Sequence, residues 1–113
     1  MKKINIVKKN TEFSNIIKNG KKYYCNILNM YILKNTYNYN RFGISISKKI
    51  GNAVVRNKFK RQIKDIIDKT NINFDGYDIV IISKSNLKES KYLDIKSNIL
   101  NLFNMIGEKN EKK

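Results

Sequence analysis

The chain contains no histidine, no proline and no tryptophan, and it has one cysteine and five glycines among 113 residues. A single cysteine rules out an internal disulfide. With histidine also missing, Cys₄ and Cys₂His₂ zinc sites, Ser-His-Asp triads and Cys-His pairs are excluded, and most protein-borne hydrolytic chemistry at neutral pH goes with them. Long apolar runs are absent too, since no stretch approaches the roughly 20 residues that cross a bilayer. The opening Met1-Lys2-Lys3-Ile4-Asn5-Ile6-Val7-Lys8-Lys9 has the basic residues of a signal peptide but no apolar segment after them. A lone cysteine fits a reducing compartment. The expected location is the cytoplasm, with no membrane partner and no small-molecule cofactor.

Acid is the next scarcity: 9 Asp plus Glu stand against 24 Lys plus Arg, a formal net charge of +15. Lys, Asn and Ile dominate the composition, as in AT-rich coding sequence. Such drift alone would scatter lysine along the chain. Instead, residues 1–64 hold 13 Lys and 3 Arg against Glu12 alone, while residues 65–113 hold 8 Lys against 8 acids. A one-sided excess of this kind is the electrostatic footprint expected for a polyanion. The three arginines, Arg41, Arg56 and Arg61, stand out in a chain that otherwise uses lysine. A guanidinium grips phosphate bidentately or stacks on a base, which an ammonium does not.

Length allows one domain with a single core. Residues 10–19 read as a helix, with Asn10 or Thr11 as cap, Phe13, Ile16 and Ile17 at helical spacing, and Gly20 ending it. Residues 23–34 read as one strand and Asn35–Asn40 as a turn. Residues 41–47 alternate as a half-buried strand, expected antiparallel to its predecessor, with Phe42, Ile44 and Ile46 on one face and Arg41, Gly43, Ser45 and Ser47 on the other. A helix over 52–69, capped by Asn52, leads to Tyr77–Ser83, apolar on both faces and so a central strand. Strand, helix and buried strand make a parallel crossover unit. Residues 90–106 form a last amphipathic helix facing inward through Tyr92, Ile95, Ile99, Leu102, Phe103 and Ile106. The expected organisation is one α+β domain over 1–106, in helix-strand-strand-helix-strand-helix order, and a charged, disordered tail over 107–113.

The helix over 52–69 carries the functional pattern. Val55, Phe59, Ile63, Ile66 and Ile67 fall within about 120° of one another and face the core. Asn57, Lys60, Arg61 and Lys64 form the neighbouring stripe, bordered by Arg56, with no acid inside it. Lys60 stands four residues from both Arg56 and Lys64, and like charges so spaced cost roughly 0.2–0.5 kcal/mol per pair. Arg56 and Lys58 also lie toward the positive end of the helix dipole, with Asp65 and Asp68 toward the negative end, each costing about 0.3–1 kcal/mol. A bound phosphate would relieve that repulsion. Asp65 with Asp68, and Asp75 with Asp78, have the spacing to hold a hydrated Mg²⁺ but read first as solvated surface. Cys25 reads as a small, partly buried strand residue.

The run Ser47-Lys48-Lys49-Ile50-Gly51-Asn52-Ala53-Val54-Val55-Arg56-Asn57-Lys58-Phe59-Lys60-Arg61-Gln62-Ile63-Lys64 resembles the signature of the bacterial ribonuclease P protein subunit. Lys58 and Lys64 stand where that family usually has arginine. The resemblance extends to the first helix with Phe13 and Gly20, the strand order and the final helix. It implies an α/β sandwich with a mixed sheet and a left-handed βαβ crossover, where periodicity alone gives a right-handed one. It implies an accessory subunit of an endoribonuclease, assisting tRNA 5′-end maturation, whose RNA subunit performs the hydrolysis with Mg²⁺. The expected partners are ribonuclease P RNA and precursor tRNA. By matching position, Arg56, Asn57, Lys58, Lys60, Arg61 and Lys64 would bind RNA, with Lys48, Lys49 and Asn52 flanking them. Phe13, Ile17 and Tyr31 would line a cleft for the 5′ leader, although Phe13 and Ile17 also fit ordinary core packing. No residue is expected to be catalytic or to bind metal. A structural ribosomal-type RNA-binding protein is the alternative.

Overall fold

The computed structural model describes residue 2 and residues 5–111. Of the opening segment weighed as a leader, Met1, Lys3 and Ile4 lie outside the described residues. The elements run α1 (Asn10–Asn19), β1 (Lys21–Tyr24), β2 (Leu28–Lys34), β3 (Arg41–Ser45), α2 (Ala53–Lys69), β4 (Tyr77–Ser83) and α3 (Tyr92–Glu111), with short 3₁₀ turns at Lys48–Ile50 and Ser85–Glu89. The segment expected as a single strand is therefore two, broken by a turn at Cys25–Ile27. There the Cys25 N–H donates to Leu28 O at 3.0 Å and the half-buried thiol lies 3.6 Å from the same carbonyl. Helix α1 takes Lys9 as its N-cap with no side-chain bond, so neither Asn10 nor Thr11 caps it. Helix α3 continues past Ile106 to Glu111, into the segment expected as a tail, and Lys112 and Lys113 lie outside the described residues.

The four strands form one mixed sheet in the order β1-β2-β4-β3. β3 runs antiparallel to β2 as expected but does not pair with it. β4 lies between them, antiparallel to β2 and parallel to β3, and α2 makes the crossover. The Asn-rich turn bridges the entrance of β4. Asn35 N–H donates to Gly76 O at 2.8 Å, Asn40 Nδ2 to Phe74 O at 2.7 Å, and Tyr77 N–H to Asn40 Oδ1 at 3.0 Å. Gly76 has φ +84°, a conformation that favours glycine at this turn.

The central position of β4 follows from its sequence, because Ile79, Val80 and Ile81 are all fully buried and need cover on both faces. On one face α2 and α3 close the main core, with Ile63, Ile66, Ile95, Ile99 and Leu102 against Leu28, Met30, Ile79 and Ile81. Each such side chain contributes about 1.5–3 kcal/mol of burial. On the other face α1 closes a smaller core of Val7, Ile16 and Val80. The outer edge of β3 is partly covered by the chain's start, where Val7 N–H donates to Phe42 O at 2.9 Å.

Candidate nucleic-acid interface

Helix α2 is set by its two ends. Asn52 Oδ1 accepts from Val55 N–H at 3.0 Å, capping the start as expected. Thr70 Oγ donates to Ile66 O at 2.6 Å and closes the end. The apolar stripe is buried through Phe59, Ile63, Ile66 and Ile67. The neighbouring stripe is open: Asn57, Lys58 and Arg61 are exposed, and Arg56, Lys60 and Lys64 are half-buried. Arg56 also donates from Nε to Gly51 O at 3.2 Å, holding the turn before the helix against its own first turns. Lys48 and Lys49 are exposed on the 3₁₀ turn just upstream.

Beyond β3 the chain turns through Ser47–Gly51 and brings the start of α2 to the edge of the sheet. A groove of about 490 Å³ opens there, lined by Phe13, Ser14 and Ile17 of α1, Ser45 and Ile46, Ile82 of β4, and Arg56 and Lys60 of α2. Phe13 and Ile17 thus meet the basic ridge in one concavity. Neither is plain core: Ile17 is 39% exposed, and the Phe13 ring rests on Gly43, where a Cβ would lie 2.5 Å from Cζ. Gly43 has its role through that close approach. Tyr31 lies on the same sheet face, half-buried against the Val7–Ile16–Val80 core, but it does not line the groove. Neither Ser45 nor Gly43 stands out in the sequence as a site residue: the alternation of residues 41–47 puts both on one face, but only Ser45 is exposed there, Gly43 lying under the Phe13 ring.

Arg41, grouped in the sequence with Arg56 and Arg61, has a different task. Its guanidinium donates to Asp78 at 2.8 and 2.6 Å and to Glu12 at 3.0 Å, and it lies 4.9 Å from the Tyr37 ring centroid. This ties α1 to β3 and β4. Glu12, the one acid of residues 1–64, is therefore engaged with a structural arginine and leaves the basic ridge uncompensated. Burial pushes the Asp78 carboxyl up, but hydrogen bonds from Arg41 and Asn35 outweigh it and hold the group below its usual value.

The acid pairs do not fit a metal ion. Asp78 is buried with both oxygens on Arg41. Asp65 accepts from the Tyr92 hydroxyl at 2.6 Å and pairs with Lys69 at 3.1 Å, which hold its carboxyl below the usual range. Among the described residues no three His, Cys, Asp or Glu stand together as a metal-binding group, and no helix is long and apolar enough to cross a membrane.

Comparison with known proteins gives matches in both sequence and fold. The ribonuclease P family model matches residues 1–107. The ribonuclease P protein component of Clostridium botulinum (strain 657 / Type Ba4) is 43% identical over 108 residues, spanning 93% of this chain and 96% of that protein. Among solved structures, the Staphylococcus aureus RNase P protein superposes with a TM-score of 0.82 at 32% identity, over 90% of this chain and 94% of that one. The Thermotoga maritima RNase P protein gives a TM-score of 0.77 at 31% identity, over 81% and 88%.

Proposed function

The chain belongs to the ribonuclease P protein family, and from that premise we propose that it binds the catalytic RNA of ribonuclease P and the 5′ leader of precursor tRNA at one continuous surface. The observation that carries this reading is the groove in which Phe13 and Ile17 stand opposite Arg56 and Lys60. Single-stranded RNA asks for two things, an apolar or aromatic wall for bases and cations for phosphates, and this concavity supplies both. The ridge continues outward through Asn57, Lys58, Arg61 and Lys64, with Lys48, Lys49 and the Asn52-capped start of α2 beside it. That outward part suits the A-form backbone of a folded RNA, which proteins bind through phosphates and shape. The helix dipole adds partial positive charge at the same end.

On this reading the protein performs no bond cleavage. Chemistry belongs to the RNA subunit, and Mg²⁺ is held mainly by RNA oxygens. The protein's part is to fix the leader and to lower the phosphate repulsion that opposes assembly. The work takes place in the cytoplasm.

Reconstitution with the cognate RNA subunit and precursor tRNA at low Mg²⁺ tests the reading. The protein should stimulate leader removal, and Arg56→Ala/Arg61→Ala should weaken assembly at least about tenfold while the melting transition remains cooperative. Unchanged assembly and cleavage in moderate salt would show that the ridge is not the RNA interface. A wild-type protein that fails to stimulate cleavage would favour the ribosomal-type alternative.

A further inference from the structure

Strand register places four side chains in a straight row across the sheet on the α1 face. Tyr24 of β1 stands opposite Asn29 of β2, Asn29 opposite Ile82 of β4, and Ile82 opposite Ser45 of β3. In the adjacent row, Lys22, Tyr31, Val80 and Gly43, α1 covers the half nearer the groove, since Phe13 rests on Gly43 and Ile16 packs on Val80, while Lys22 is exposed. The Tyr24 row is open at both ends: Tyr24 is 67% exposed and Ser45 is exposed. Ser45 and Ile82 are already walls of the groove. The same floor therefore runs on through Asn29 to Tyr24 at the far edge, three inter-strand steps or about 14 Å from Ser45.

The side chains along this extension have the chemistry of a nucleotide subsite. Lys84 Nζ lies 5.2 Å from the Tyr24 ring centroid and is held there by donating to Cys25 O at 2.6 Å. Lys22 Nζ lies 5.9 Å from the Tyr31 ring on the same face. No acid belongs to either row. Asn29 is half-buried at mid-row with its side-chain oxygen buried, so it forms part of the floor between Ile82 and Tyr24.

We propose that Tyr24 and Lys84 form a second subsite for single-stranded RNA, taking a leader nucleotide beyond those in the Phe13–Ile17 groove. Tyr24 stacks on the base, and Lys84 holds the tyrosine while facing the phosphate. The proposal rests on the leader-binding reading of the groove and extends it. Charge decides between RNA and a protein strand as occupant. Edge strand β1 has only four residues, two of them lysines, which disfavours strand addition and favours a polyanion.

The test is binding and cleavage by the reconstituted holoenzyme on precursor tRNAs whose leaders are graded from about 2 to about 10 nucleotides. Tyr24→Ala should cause a loss that grows with leader length, reaching at least about fivefold for the longest, and Tyr24→Phe should restore it. Phe13→Ala is the control for the groove itself. If Phe13→Ala weakens every leader while Tyr24→Ala has no effect, or acts on short and long leaders alike, the second subsite is wrong and the groove stands. If Phe13→Ala is also silent, the groove reading fails, and this proposal with it.

Discussion

Arg41 and Asp78 show how much of this chain's stability rests on one pair. Their side chains are only 12% and 10% exposed, and Glu12 completes the set from α1. Breaking a buried pair leaves a charge without its partner, so Asp78→Asn should cost on the order of 3 kcal/mol at neutral pH, the low end for such pairs because Glu12 remains. The pH dependence has a definite sign. The Asp78 carboxyl is depressed below its usual 3.8 in the folded state. The pair's stabilisation is therefore complete above that value and drains away as pH falls through it toward the folded one. Urea melts from about pH 7 down to about pH 2 should show a flatter acid limb for Asp78→Asn than for the wild type. Parallel acid limbs would remove Asp78 as a source of the acid sensitivity.

Helix α2 is built against its own stability, and that conflict yields a second expectation. Lys60 stands between Arg56 and Lys64 at four-residue spacing, so Lys60→Glu replaces two repulsive neighbours with two attractive ones. The gain should be about 1 kcal/mol, seen as a higher melting temperature, while assembly with the RNA subunit weakens. A variant that gains stability and keeps full assembly would mean that Lys60 faces no phosphate. The same helix was the most legible element in the sequence, because its cap, apolar stripe and basic stripe are all local and periodic. The strands were less legible. Tyr23 to Lys34 reads as continuous β residues, and only the Cys25–Leu28 hydrogen bond divides it. The pairing of β3 was hidden for another reason. Direction follows from a short turn, but adjacency is decided by β4, whose two apolar faces claim the centre and separate β2 from β3. Likewise Phe13 and Ile17 carried no local mark distinguishing core from groove. The distinction comes from where Gly51 and Arg56 bring the start of α2.

Across the whole molecule, the division of charge along the sequence becomes a division in space. Beside the groove, Lys48 and Lys49 of the turn and Arg56, Lys58, Lys60, Arg61 and Lys64 of α2 stand with no acid among them, whereas further along α2 Asp65 pairs with Lys69, and α3 carries both signs at Asp94 and Lys96. A polyanion therefore has one preferred approach, and ionic strength can map it. Each phosphate neutralised releases counterions, giving a log–log salt slope of about −0.7 to −0.9 per contact. Lys48→Ala/Lys49→Ala removes two exposed charges beside the ridge that make no ion pair within the protein among the described residues. The slope for binding the RNA subunit should become shallower by about 1.4 to 1.8, with little change in melting temperature. Lys91→Ala/Lys96→Ala removes the same formal charge from the start of α3 and the residue before it, and should lower affinity only through the general field, leaving the slope within error. Titrations across a graded KCl series separate the two cases, and equal slope changes in both variants would mean that net charge, and not the arrangement around the groove, draws the RNA.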